Sequence, residues 1–152
     1  GLRRTKQPHP AVDEMVGLDE LHRDLPLADY VLVATPLTSA TKGLIGAKEL
    51  DLMKPGAGIA NIGRAEVIDY DALCDRLRSG RIGGAMLDVF EPEPLPSSSP
   101  YWDVPNLIIT PHCSSDDIQQ YVPRTLELVF DNLERLVANK PLRCVVDPTL
   151  EY

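Results

Sequence analysis

The sequence has no apolar run long enough for a transmembrane helix and no excess of basic residues. No segment approaches the ~20 consecutive apolar residues that cross a bilayer, and the opening GLRRTKQPHP is not followed by the apolar stretch of a signal peptide. The net charge is −8 over 152 residues, whereas a nucleic-acid-binding protein normally has a basic face. We therefore expect neither a membrane segment nor a nucleic-acid partner.

Cysteine and histidine are also scarce, with three residues of each type. These residues are Cys74, Cys113, Cys144, His9, His22 and His112. The odd number of cysteines and the lack of a CxxC pair argue against a disulfide framework and favour a reducing cytoplasm. Because the histidines form no HxxxH pair and no Cys/His ligand cluster, we predict no metal site.

Short apolar runs alternate with helical patterns along the chain. The apolar runs span 30–35, 58–62, 84–89 and 106–110. Helical patterns span 47–53, 69–79 and about 117–139, and a short helix with Asp19 as its N-cap precedes the first run. Asp69 suits the N-cap of the second pattern, and Gly80 suits the position after its end. Apolar strands separated by helices predict an α/β fold with a parallel sheet covered on both faces.

Polar residues follow each of the four apolar runs. They occupy positions 35–36, 63–64, 88–93 and 110–112. The carboxyl ends of parallel strands meet at one edge of a sheet, which is where such sheets bind ligands. We therefore expect these four segments to lie along a single edge and to form the functional site.

Three segments of this chain resemble one enzyme family in type, order and spacing. They are TPLTSATKGLIGAKELDLMKPGAGIANIGR, AMLDVFEPEPLP and NLIITPH. They are similar to the cofactor domain of the D-isomer-specific 2-hydroxyacid dehydrogenases, above all to members that act as glyoxylate/hydroxypyruvate reductases. The resemblance covers nearly the whole chain. It implies part of a Rossmann-like, doubly wound parallel sheet with a long C-terminal helix.

The resemblance also implies an oxidoreductase that transfers a hydride between NAD(P)H and a small 2-keto or 2-hydroxy acid. The family's catalytic residues fall on Arg64, Glu93 and His112. A guanidinium can bind the substrate carboxylate with two parallel hydrogen bonds. An imidazole can give and take the proton of the keto oxygen, and a neighbouring carboxylate favours its charged form. Without the resemblance, each residue has a simpler explanation: a surface arginine, an exposed loop acid beside Glu91, and a loop histidine.

The cofactor residues that the family implies are spread over the same strand ends. Asp88 would hold the nicotinamide amide, the backbone at Ile62 and Gly63 would face the nicotinamide, and Thr35 and Pro36 would lie against the adenosine end, as would Leu37. Arg3, Arg4 and Thr5 would follow the strand whose end selects the cofactor, and arginine there favours NADP, with NAD possible. The alternative for these three residues is a solvated basic segment, and for Asp88 a loop acid without a ligand.

Two parts of the family's pattern do not occur in the chain: the GxGxxG fingerprint that cradles the pyrophosphate, and a separate substrate domain. We therefore expect residues 1–152 to form a partial dinucleotide-binding domain, in which 117–152 resemble the helix and tail that return to the substrate domain. Such a fragment alone should show little turnover, although full-length family members are commonly homodimers. The second hypothesis is an inactive remnant that serves as an interaction domain.

Overall fold

The computed structural model describes residues 1–117 and 119–151. The chain consists of two compact units, Gly1–His112 and Cys113–Tyr152. The first unit, called the sheet unit below, contains one four-stranded sheet with its helices. The second, called the helical unit, contains one long helix.

All four strands of the sheet unit are parallel and lie side by side in chain order. They are β1 (Tyr30–Val33), β2 (Gly58–Asn61), β3 (Gly84–Leu87) and β4 (Leu107–Ile109). The register pairs Val33 with Asn61, Asn61 with Leu87, and Leu87 with Ile109. The carboxyl ends of all four strands therefore form one row, and the loops that follow them leave the sheet at the same level. The predicted α/β fold with a parallel, Rossmann-like sheet is confirmed.

Within the described residues of the sheet unit, helices cover one face of the sheet and leave the other exposed, whereas the sequence led us to expect both faces covered. The helices are α1 (Leu21–Asp24), α2 (Ala47–Leu52) and α3 (Tyr70–Arg78) in the sheet unit, and α4 (Tyr121–Val137) in the helical unit. Leu50 of α2 and Leu73 of α3 are fully buried in the core. On the opposite face, Tyr30, Leu32 and Ile108 are 61–85% exposed. Connections between neighbouring parallel strands are almost always right-handed, so a strand order that advances in one direction sends every crossover to the same face.

The predicted caps of α3 are confirmed, but that of the first short helix is wrong. The Asp69 carboxylate accepts a hydrogen bond of 3.0 Å from the Ala72 amide, and Gly80 has a φ of +72°. By contrast, Asp19 lies inside a 3-10 turn, Leu18–Glu20, whose N-cap is Gly17. The Asp19 carboxylate instead accepts a hydrogen bond from Lys6, 3.2 Å away.

The long C-terminal helix begins later than predicted and ends earlier. Asp117 precedes it in a turn, where its side chain accepts hydrogen bonds from the amides of Gln119 and Gln120. The helix ends because Asn139 adopts a φ of +52°, and the amides of Asn139 and Lys140 then turn back to the last carbonyls. Ile118 of the predicted helix lies outside the described residues. None of the helices in the described part of the chain combines the length and apolar composition of a membrane span.

The cap of α3 can be tested by replacing Asp69 with alanine. The variant removes the acceptor of an otherwise unpaired helix amide, so we expect the sheet unit to lose about 1 kcal/mol of unfolding free energy. Trp102, the one tryptophan of the sequence, lies in the sheet unit and reports its urea unfolding by fluorescence. Asp75→Ala, on the exposed side of the same helix, is the control and should change stability by less than about 0.5 kcal/mol. Equal losses in the two variants would contradict the capping role.

Candidate active site

The loop after β2 carries Arg64 and is fixed by the side chain of Asn61. Asn61 is fully buried; its Oδ1 accepts a hydrogen bond from the Gly63 amide at 3.0 Å, and its Nδ2 donates to the Arg64 carbonyl at 2.9 Å. A Cβ at Gly63 would lie 2.5 Å from the Thr35 carbonyl oxygen, so only glycine allows this close approach to the end of β1. Among the described residues, the exposed Arg64 side chain makes one hydrogen bond, from Nη1 to the Gly63 carbonyl at 2.8 Å.

The loops after β3 and β4 bring Glu93 and His112 together. Glu93 Oε2 lies 2.8 Å from His112 Nδ1, and Glu93 Oε1 accepts a hydrogen bond of 2.8 Å from the Phe90 amide. The contact with His112 and then the Phe90 hydrogen bond hold the pKa of the Glu93 carboxyl below its ordinary value. His112 has a φ of +54°, a conformation that costs a residue with a Cβ on the order of 1 kcal/mol. This strained backbone directs the imidazole toward Glu93.

Arg64, Glu93 and His112 line one open cleft of about 240 Å³ in the sheet unit. The cleft is lined by Leu37, Arg64, Ala65, Glu66, Val89, Phe90, Glu91, Glu93 and His112. The structure thus brings together the three residues that the resemblance singled out as catalytic. Glu91 also lines the cleft, but it is Glu93 that contacts the imidazole. The cleft therefore presents a cation, a carboxylate and an imidazole to a common space.

Two further predicted residues lie at the same edge of the sheet and differ in their hydrogen bonds. Asp88, directly after β3, is fully buried and accepts a hydrogen bond of 2.5 Å from Thr110 Oγ1. Thr35 Oγ1 is buried and has no hydrogen-bond partner among the described residues. The neighbouring Pro36 carbonyl accepts a hydrogen bond from Thr41 at 2.7 Å. A buried hydroxyl without a partner is unusual, because its desolvation is not offset.

Arg3, Arg4 and Thr5 are not part of this cleft. Leu2 forms an isolated parallel bridge with Val16, which anchors the segment. Arg3 donates from Nε and Nη2 to Thr5 Oγ1 at 3.1 and 2.9 Å. The three residues are thus separate from the groups that line the space around Arg64 and His112.

Asn61 and Tyr70 contact the loops of the site but were not predicted from the sequence, and Thr110 was predicted only as part of the segment 110–112. Asn61 is the polar residue in the apolar run 58–62, and Tyr70 interrupts the polar start of α3 with a bulky side chain. Both are buried, and the amide of Asn61 donates to the hydroxyl of Tyr70 at 2.9 Å. The signal for Asn61 was a polar residue within an apolar run, and the signal for Tyr70 was a bulky side chain within a polar segment.

A parallel sheet whose functional loops meet at one edge has the architecture of a dinucleotide-binding domain. Residues 1–114 match the NAD binding domain of the D-isomer specific 2-hydroxyacid dehydrogenases. The chain belongs to this family, and the resemblance stated from its motifs is confirmed.

Similar proteins include enzymes of known activity and solved structures. Glyoxylate/hydroxypyruvate reductase B of Pectobacterium carotovorum is 41% identical over 116 residues, which are 75% of this chain and 36% of that protein. A D-isomer specific 2-hydroxyacid dehydrogenase of Xanthobacter autotrophicus, solved with NADPH and MES, is 40% identical with a TM-score of 0.89 over 100% of this chain and 62% of its own.

A third similar protein, an NADPH-dependent glyoxylate/hydroxypyruvate reductase of Sinorhizobium meliloti, was solved with NADP and sulfate. It is 30% identical with a TM-score of 0.90, over 100% of this chain and 48% of its own. The chain thus spans between about a third and two thirds of the length of these three relatives.

The two threonines at the sheet edge make a matched pair of valine variants. Thr110→Val removes the donor to the buried Asp88 carboxylate, so we expect a loss of about 1–3 kcal/mol of unfolding free energy. Thr35→Val replaces a hydroxyl that has no partner among the described residues, so it should leave the stability unchanged within about 0.5 kcal/mol or raise it. Urea unfolding followed through Trp102 measures both. A destabilised Thr35→Val with an unaffected Thr110→Val would reverse this assignment.

Proposed function

We propose that this chain is the reactive half of the cofactor domain of an NAD(P)-dependent dehydrogenase that reduces small 2-keto acids. The observation that carries the proposal is the convergence of Arg64, Glu93 and His112 on one cleft, with the Glu93–His112 contact at 2.8 Å. The three residues come from the ends of three different strands. If the three residues had only local roles, as a surface arginine, a loop acid and a loop histidine, nothing would require them to line the same cleft.

Arg64 would bind the substrate carboxylate. Apart from the bond to the Gly63 carbonyl, its guanidinium makes no hydrogen bond to the described residues. The remaining N–H groups have the planar, forked arrangement that matches a carboxylate. In this position Arg64 would fix the keto acid in the cleft and polarise its keto oxygen.

His112 would give the proton that the keto oxygen needs on reduction, and would take it back in the reverse direction. Glu93 contacts Nδ1, which leaves Nε2 as the nitrogen for the substrate. The Glu93 carboxylate orients the imidazole ring through this contact. The lowered pKa of Glu93 keeps it charged near neutral pH, as this task requires.

The residues at the sheet edge fit both ends of a bound dinucleotide cofactor. The side-chain oxygen of Thr35 is buried without a hydrogen-bond partner among the described residues, and glycine at position 63 lets the loop after β2 lie against the Thr35 backbone. Thr35 and Pro36 would hold the adenosine end, the backbone at Ile62 and Gly63 would face the nicotinamide ring, and the buried Asp88 would bind the ring's amide. The bound nicotinamide supplies the hydride for the carbonyl carbon.

NADP is the favoured cofactor, with NAD possible. Arg3, Arg4 and Thr5 would receive the 2′-phosphate, and the bonds from Arg3 to Thr5 hold these two side chains next to each other. Two structurally similar dehydrogenases were solved with NADPH or NADP, which supports this choice. A solvated basic segment remains the alternative for the three residues.

The substrate class and the setting of the whole protein follow from the relatives. The similar reductases act on glyoxylate and hydroxypyruvate by their names, and a small keto acid suits a cleft of about 240 Å³. For a full-length family member we propose a homodimer, and for this chain 117–152 would return to a substrate domain. None of Cys74, Cys113 and Cys144 forms a disulfide in the described part of the chain, in keeping with a reducing cytoplasm.

The direct test is oxidation of NADPH with glyoxylate or hydroxypyruvate by the chain and two variants, at high protein concentration because the chain alone should turn over slowly. His112→Ala should lower kcat/KM at least 100-fold, because it removes the proton donor. Arg64→Ala should lower it to a similar degree and raise KM, because it removes the carboxylate anchor. The matched controls are His9→Ala and Arg78→Ala, which change exposed residues outside the cleft and should retain the activity.

Calorimetry with NADPH and NADH separates this proposal from an inactive remnant. A cofactor domain should bind NADPH more tightly than NADH, with or without turnover. Binding of neither cofactor, together with no turnover, would favour an interaction domain that has lost its enzymatic role. Turnover that is equal in the wild type and in both cleft variants would refute the roles of Arg64 and His112.

A further inference from the structure

The peptide group between Val89 and Phe90 is held by hydrogen bonds at both ends. Its carbonyl oxygen accepts a bond of 2.8 Å from the Tyr70 hydroxyl, and its N–H donates a bond of 2.8 Å to Glu93 Oε1. The peptide unit is planar, and its C=O and N–H point in opposite directions. A donor that fixes the direction of the carbonyl therefore also fixes the direction of the N–H that holds Glu93.

The Tyr70 hydroxyl is itself held by Asn61, which links this peptide to the loop of Arg64. Asn61 Nδ2 donates to the Tyr70 oxygen at 2.9 Å and to the Arg64 carbonyl at 2.9 Å. One buried side chain thus contacts the backbone of the arginine loop and, through Tyr70, the peptide that binds Glu93. Hydrogen bonds in such a series polarise one another and are stronger in a buried environment.

The environment of Tyr70 makes its hydroxyl a constant donor. Burial raises the pKa of Tyr70, so that the phenol stays neutral and keeps its proton. The ring of Phe90 and the ring of Tyr101 pack edge-on against Tyr70 with centroid distances of 5.9 and 6.0 Å. These two ring contacts pack the Tyr70 ring on both sides, and its hydroxyl donates to the Val89 carbonyl.

We propose that Tyr70 is a positioning residue for the Glu93–His112 pair: its hydroxyl orients the Val89–Phe90 peptide, whose N–H places the Glu93 carboxylate against His112. Through Asn61, the same hydroxyl keeps this pair in a fixed relation to the backbone of Arg64. The importance of the pair for catalysis rests on the proposed function. The positioning itself is a property of the sheet unit and can be measured without cofactor or substrate.

Several charged groups act on Glu93, so the effect of Tyr70 must be separated from theirs. Arg64 and Glu66 line the cleft from the segment after β2, Glu91 from the loop of Glu93 itself, and His112 from the end of β4. His112 and Arg64 lower the pKa of Glu93. Replacing Tyr70 by phenylalanine alters none of these charges, so a change in the titration of Glu93 would report its orientation.

The test is Tyr70→Phe in the 152-residue chain, followed by NMR. The variant keeps the ring and removes the hydroxyl. We expect the Glu93 pKa, read from its carboxyl carbon, to rise toward the ordinary carboxyl value, because the Phe90 N–H is no longer held in line. The Phe90 amide should exchange with solvent about tenfold faster, as expected for the loss of one hydrogen bond.

Tyr101→Phe is the matched control, since it removes a second hydroxyl from the same aromatic cluster. That hydroxyl donates to Asp71 and makes no hydrogen bond to the Val89–Phe90 peptide, so the control should leave both readings as in the wild type. The proposal is overturned if Tyr70→Phe leaves them unchanged, or if the two variants change them equally.

A second measurement needs no variant and covers the case in which Tyr70→Phe fails to fold. In the wild-type chain, the Phe90 amide proton should shift as Glu93 titrates, because the carboxylate is its acceptor. An amide signal that stays constant across the Glu93 titration would also overturn the proposal. Neither measurement depends on keto acid reduction, so an enzymatically inactive chain would refute the proposed function and leave this inference standing.

Discussion

Because the four strands run in the same direction and end in one row, Val33, Asn61, Leu87 and Ile109, everything that follows them is confined to one edge of the sheet. The chain distance between Arg64 and His112 then has no bearing on whether the two side chains meet. A single strand in the opposite orientation would send its loop to the far edge and remove one member of the site. The parallel register is thus the constraint on which the cleft depends.

The Glu93–His112 pair lies where water competes for its hydrogen bonds. The side chains of Glu93 and His112 are 38% and 45% exposed, and ion pairs at such positions contribute little stability of their own. Their mutual attraction therefore cannot hold them in one geometry. The geometry comes from the backbone instead: the Phe90 amide fixes Glu93, and the left-handed conformation of His112 aims its ring. Asp88 at the same edge is different, since it is buried and held by Thr110.

The sequence predicted what depends on local pattern and on motif. The apolar runs predicted the four strands, and the polar segments after them predicted the sheet edge that carries the cleft. Asp69 predicted the start of α3. Asp19 was misassigned because a lysine 13 residues away competes for its carboxylate. The face of the sheet on which each helix lies depends on the strand order, which no local pattern contains. The roles of Asn61 and Tyr70 were equally hidden, because a hydrogen bond between residues on different elements exists only once the elements are packed.

A buried asparagine and a buried tyrosine hydroxyl beneath a cleft need a physical reason. Asn61 and Tyr70 occupy sites where apolar side chains would fill the same space without desolvating polar groups, and satisfied polar networks seldom stabilise a core more than apolar packing does. Apolar packing is not directional, so it does not fix the rotation of a peptide plane. A hydrogen bond has a preferred angle and does fix it. The two loops next to this network carry Arg64 and Glu93, and the hydrogen bonds of these side chains depend on their direction. The polar core under the cleft is thus best understood as a means of fixing orientation.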